Sequence, residues 1–185
     1  MQWAGSDGGH MAENIALAVF VLLLAVICGL LWRLGRRSAP PVVPRARGPG
    51  VSVIVDGSNA MYWGGEASLS VLRRVIRTLE EQGENPYVIF DANVGWKLFD
   101  RYCGDGPMSR HLGLQERQVM VVSKGEIADE KILLVADKFD LPVVSNDRFR
   151  DWSVRFPWVR DHRRLRRGAW VEGHIRWGGA RRKRG

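Results

Sequence analysis

The chain has 185 residues, 45% of them apolar, with a formal net charge of +8 and an isoelectric point near 10.2. That length holds one domain of ordinary size with appendages, the apolar share suffices for a packed core, and the charge points to a polyanionic partner, nucleic acid or anionic membrane. Two distant cysteines, Cys28 and Cys103, exclude a disulfide framework and a thiolate zinc site and fit a reducing compartment; His10, His111, His162 and His174 lack ligand spacing.

Residues 1–14 are Gly-rich and carry no structural signal. Residues 15–34 read as a transmembrane helix. From Ile15 to Trp32 the chain has only apolar residues and Gly29, about 27 Å of helix at ~1.5 Å per residue. A cleaved secretory signal is the rival, but Asp7 and Glu13 precede the run, Arg33, Arg36 and Arg37 follow it, and Leu30, Leu31 and Trp32 replace a small-residue cleavage site. Arginines retained on the cytoplasmic side put the N-terminus outside and the rest of this single-pass chain in the cytoplasm. Residues 35–50 form a spacer with four prolines, in which Arg45 and Arg47 are solvated or touch anionic headgroups.

Residues 51–158 carry the domain. The β-branched run Val51–Val55 stops at Asp56 and Gly57-Ser58-Asn59, the pattern of a buried parallel strand ending in a turn. Val71, Leu72, Val75, Ile76 and Leu79 recur at helical spacing over Ser70–Gln82, with Gly83 as the stop. Pro86–Phe90 is a second strand, ending at Asp91, and the strand-helix-strand order makes a right-handed parallel crossover. Residues 92–117 read only as a connection, with a short helix around Trp96 to Phe99 and a loop over Gly104–Pro107. Gln118–Ser123 is a third strand, Ala128–Phe139 a helix with Asp129 in its first turn, and Leu141–Val144 a fourth strand running into Ser145-Asn146-Asp147. If Asp147 opens a helix, Asp151 shares its face one turn later.

Strand ends and helix starts thus deliver Asp56, Asp91, Asp129, Asp147 and Asp151 to the carboxyl edge of a parallel sheet, where ligands bind in open α/β folds. Each acid alone suits a turn or a cap. Crowded together they repel, and a divalent cation with hard oxygen ligands removes that cost.

Val55-Asp56-Gly57-Ser58-Asn59, Asp129 before its helix, and Val143 to Asp151 (Val-Val-Ser-Asn-Asp-Arg-Phe-Arg-Asp) resemble the NYN branch of the PIN-like ribonucleases. The particular likeness is to the ribonuclease domain that accompanies CCCH zinc fingers in animals. The resemblance implies a three-layer α/β, Rossmann-like domain with a mostly parallel central sheet. It also implies endonucleolytic cleavage of single-stranded RNA, with Asp56, Asn59, Asp129, Asp147 and Asp151 as the site and Mg²⁺, or Mn²⁺, held by the four aspartates. Metal-activated water would be the nucleophile, so no side chain need attack. Asn59 orients water or phosphate, or is simply a turn residue. The family's doubled acid is here Ala128-Asp129, no zinc finger occurs, and Asp91 lies outside the family pattern.

Residues 159–185 read as a basic extension with a late strand or hairpin over Gly168–Trp177. Arg148 and Arg150, with Arg163, Arg164, Arg166 and Arg167, are the expected RNA contacts. Trp152, Phe156, Trp158, Trp170 and Trp177 stack bases or fill the core. The terminal Arg181 to Arg184 suits RNA or lipid equally. Expected partners are single-stranded RNA, the membrane and a second copy of the chain. Two rivals remain: a silent PIN-like module that binds RNA or a partner at the membrane, and a structure-selective DNA flap nuclease.

Overall fold

The computed structural model describes residues 50–178 and, outside them, Leu23 alone. The chain divides after Val42, and everything below belongs to the second unit, Val43–Gly185. The expected membrane span and the terminal arginines lie outside the described residues. Among the described residues no helix is long and apolar enough to cross a membrane.

Among the described residues six strands form one sheet in the order β3-β2-β1-β4-β5-β6. They are β1 (Val53–Asp56), β2 (Pro86–Phe90), β3 (Val119–Val121), β4 (Val143–Val144), β5 (Leu165–Val171) and β6 (His174–Gly178). All neighbours are parallel except β5 and β6, which pair as an antiparallel hairpin. Its turn residues, Glu172 and Gly173, both have positive φ, the conformation that matches the twist of a two-residue hairpin. Among the described residues of this unit five α-helices accompany the sheet: α1 (Gly57–Ala60), α2 (Leu69–Glu81), α3 (Val94–Phe99), α4 (Asp105–Leu112) and α5 (Ala128–Phe139).

Alternation along the central strands builds two cores. Val53, Val55, Val88 and Phe90 pack with Leu72, Val75, Ile76 and Leu79 of α2 and Met108 and Leu112 of α4. Ile54, Ile89 and Val143 face the other way, onto Ile132, Leu133 and Ala136 of α5. The result is the expected three-layer mixed α/β domain, each face of the sheet sealed by helices.

Several expected boundaries move. Gly104–Pro107 is not a loop: Gly104 caps α4, which starts at Asp105. β4 is shortened to Val143–Val144. Asp147 opens no helix, because its side chain accepts the backbone N–H of Phe149 at 2.7 Å and the buried Phe149 then takes a left-handed conformation (φ 46°). A short 3₁₀ turn, Arg150–Trp152, follows in its place, so Asp147 and Asp151 share no helical face. β5 and β6 continue the sheet, so residues 159–178 belong to the domain instead of trailing from it. They cover the open side of β4, and a Cβ at Gly168 would overlap the Trp63 ring.

Candidate active site

Strand order reverses at β1, which pairs with β2 on one side and β4 on the other. The chain leaves these two strands in opposite directions and opens a crevice at their carboxyl ends. Asp56 ends β1 and caps α1, its Oδ1 accepting the Asn59 N–H at 3.0 Å. Its Oδ2 accepts the hydroxyl of Ser145, just past β4, at 2.8 Å. Ser145 is wholly buried, and its oxygen in turn accepts the Asp147 N–H at 3.0 Å. One serine thus links the first acid to the backbone of the fourth.

Asn59 makes a second link. Its side-chain oxygen accepts the Trp63 indole N–H and the Asn146 backbone N–H, both at 2.9 Å. Two donors that cannot accept fix which end of the amide is oxygen. Asn59 therefore clasps the two strand ends together and leaves its amide nitrogen as the group available to a ligand. Asn146 is pinned from the other side, donating to the Gly168 carbonyl at 2.8 Å and accepting its N–H at 3.2 Å. The Asp91 N–H is held by the Ser58 hydroxyl at 2.9 Å.

Asp56 is only 5% exposed, and burial pushes its carboxyl from 3.8 up to about 7. The hydrogen bonds from Ser145 and Asn59 pull against that rise, while the charges of Asp129 and Asp91 add to it. Asp129 is half-buried and also raised, first by burial and then by the charges of Asp147 and Asp91. Four of the five expected acids therefore feel one another across the crevice. None of the four forms an ion pair among the described residues. Asp151 is exposed on the 3₁₀ turn and is not among the charges that lift Asp56 or Asp129. Ala128 is buried in the apolar cluster with Ile54 and Ile89, so the residue standing where the family doubles its acid packs the core.

The donor set suits a hard divalent ion, being all oxygen, crowded and uncompensated. Among the described residues no three acids converge enough to hold an ion unaided. The arrangement therefore fits an ion that keeps several waters and uses one or two carboxylates with substrate oxygens, the habit of Mg²⁺.

The expected RNA contacts separate. Arg164 pairs with Asp140 at 3.3 Å and stacks 4.3 Å above Trp158, Arg166 pairs with Glu84, and Arg163 pairs with Asp161 at 3.2 Å. Arg167 donates to the Asn146 carbonyl at 2.9 Å. Arg148 and Arg150 are exposed. Of the aromatics, Trp152, Phe156 and Trp158 pack against the α5-side core and Trp177 against the other, while Trp170 lines a cavity of about 310 Å³ with Arg73, Arg74 and Arg77. Ser145, Ser58 and Trp63 also build the site, though nothing in the sequence pattern marks the last two. The Ser-Asn pair after β4 was the available signal for the first.

These features define a PIN-like α/β nuclease fold with an acidic switch-point crevice. The model of the Zc3h12a-like Ribonuclease NYN domain matches residues 51–184, and the chain belongs to that family. No curated protein matches it by sequence. Among solved structures it is similar to nuclear proteinaceous RNase P 2 (PRORP2) from A. thaliana, at 19% identity and a TM-score of 0.56, covering 96% of this chain and 38% of that one. A second structure of Arabidopsis thaliana PRORP2 matches at 18% identity and a TM-score of 0.53, covering 94% and 37%. The chain thus spans under two-fifths of the length of those structures, and at such identity the likeness concerns the fold.

Proposed function

We propose that this ribonuclease domain is a metal-dependent endoribonuclease cutting single-stranded RNA, tethered to a membrane by residues 15–34 with the domain on the cytoplasmic side. The observation that carries the reading is Asp56, a buried carboxyl raised to about 7 that faces Asp129 and Asp91 with no cationic side chain paired to it among the described residues. One or two of Asp56, Asp129 and Asp147, with water and substrate oxygens, would hold Mg²⁺ or Mn²⁺, with Asp91 beside them and Asp151 at the rim. The ion, when bound, supplies Lewis-acid polarisation of phosphate and water. Asp147 has Oδ1 committed to the Phe149 N–H, so its Oδ2 is the atom to accept a proton from attacking water. The Asn59 amide nitrogen donates to a phosphate oxygen, and Ser145 holds Asp56 in place. A second copy of the chain is retained as a proposed partner, to be checked by sedimentation.

The test uses the full chain in mild detergent with labelled single-stranded RNA, single-stranded DNA and a DNA flap, each with Mg²⁺ or EDTA. RNA cut only with Mg²⁺ is the expected result. Flap cutting without RNA cutting would make the protein a structure-selective DNA nuclease. RNA bound but uncut would support the silent module, the reading favoured by Ala128 and by the lack of three converging acids among the described residues. For the tether, resistance to carbonate extraction and protection of the C-terminus from external protease are expected.

A further inference from the structure

Eight arginines lie between positions 148 and 167, and ion pairing sorts them into two sets. Arg155, Arg163, Arg164 and Arg166 pair with Glu130, Asp161, Asp140 and Glu84. Arg148, Arg150, Arg160 and Arg167 form no ion pair among the described residues. All four line one cavity of about 530 Å³, together with His162, and among the described residues no carboxylate lines it. The buried Val159 and Leu165 form part of its wall. Arg167 is anchored there by its bond to the Asn146 carbonyl, and its Nε is buried without a partner.

Four unpaired guanidinium groups facing one cavity repel one another, as the acids do across the loop, and the repulsion is relieved by an anion of matching charge. Guanidinium binds phosphate through paired N–H donors, which makes several arginines around one space a phosphate site. The cavity lies in the size range of small-ligand pockets, roughly 300–1,000 Å³. An internal phosphodiester brings one negative charge and a chain that must enter and leave. A terminal phosphomonoester brings a charge of about −1.5 to −2 at neutral pH and a single connection.

We propose that this arginine cavity is a subsite for the terminal phosphomonoester of a single-stranded RNA. The site rests on the ribonuclease reading and deepens it. Its first lining residue, Arg148, directly follows Asp147, so a strand held by its end runs from the cavity into the acidic crevice. The protein thereby selects RNA that carries an end phosphate.

Three RNAs of identical sequence, with a 5′-phosphate, a 3′-phosphate or hydroxyls at both ends, are titrated by fluorescence anisotropy against the full chain in mild detergent with EDTA. One phosphorylated RNA should bind about tenfold or more tighter than the hydroxyl-ended RNA, and which one identifies the end recognised. In R148A/R160A that preference should vanish, the phosphorylated RNA losing about tenfold more affinity than the hydroxyl-ended RNA. Both side chains are exposed, and single R148A serves should the double variant melt early. Equal affinities for all three RNAs in the wild type would overturn the proposal. A variant that weakens all three equally would overturn it too, leaving only a backbone track. Cleavage of the hydroxyl-ended RNA with Mg²⁺, measured in parallel, tests the ribonuclease reading separately.

Discussion

The acidic crevice between β1 and β4 and the arginine segment beside it are both runs of like charge, and the fold treats them differently. In the crevice, Asp56, Asp91, Asp129 and Asp147 are gathered with no cationic side chain paired to any of them among the described residues. In the basic segment half of the arginines are neutralised by acids from α5 and the loops, and half are left facing a cavity. Compensation separates scaffold from site. A charge with a partner holds two elements together, whereas a group of like charges without one awaits a ligand.

Breaking the crevice should have the largest effect. Asp147→Asn keeps an oxygen for the Phe149 N–H, so the loop should stay folded. The lost carboxylate should lower RNA cleavage by about 10²–10⁴-fold, read by initial rates alongside a thermal melt. A melt unchanged or slightly raised without metal would match the relief of like-charge repulsion, while full cleavage would remove Asp147 from the site.

Asp56 gives the comparison a pH axis. Its folded carboxyl sits near 7 against 3.8 in the reference state, so between those values the folded protein binds more protons than the unfolded one. The contribution of Asp56 to stability should therefore be greatest in acid and decline as pH rises from about 4 to 7, by a few kcal/mol at ~1.4 kcal/mol per unit. Mg²⁺ should restore part of it above pH 7, and Asp56→Asn should flatten the profile. Denaturant unfolding at several pH values, with Mg²⁺ or EDTA, reads both. A pH profile that Asp56→Asn leaves unchanged would overturn the assignment.

Ser145→Ala tests the link between the strands. The variant loses the hydroxyl that lowers the Asp56 carboxyl and supports the Asp147 N–H. Leaving these groups unmet should cost about 1–3 kcal/mol. It should also move the acid limb of the cleavage profile to higher pH, which a merely structural serine would not do. Ser145→Thr, keeping the hydroxyl, should restore that limb.

The smallest effect belongs to a neutralised arginine. Arg166→Met breaks the partly exposed pair with Glu84, and a loss of about 1 kcal/mol is expected, with the salt dependence of RNA affinity unchanged. Were the salt slope to fall by about one unit, Arg166 would belong with Arg148 and the division of the arginines would fail.

Read alone, the sequence determined the layers and most of the elements. Pro86–Phe90 and Ala128–Phe139 are bounded by Pro, acids and apolar periodicity, so β2 and α5 lie where local patterning puts them. The acid at the end of β1 followed from the same logic, since an apolar run must stop where the sheet does. Four acids at one edge were likewise legible, because parallel strands joined by helices all end on one side. The tertiary structure alone decided what depends on pairings distant in sequence. Glu84 and Arg166 stand 82 positions apart and Ser145 and Asp56 stand 89 apart, so no local pattern announces which arginine is compensated or which serine holds the acid. Asp151 left the helical face expected of it for a related reason: the Asp147 side chain captured the Phe149 N–H, and the buried Phe149 turned the chain before a helix could begin.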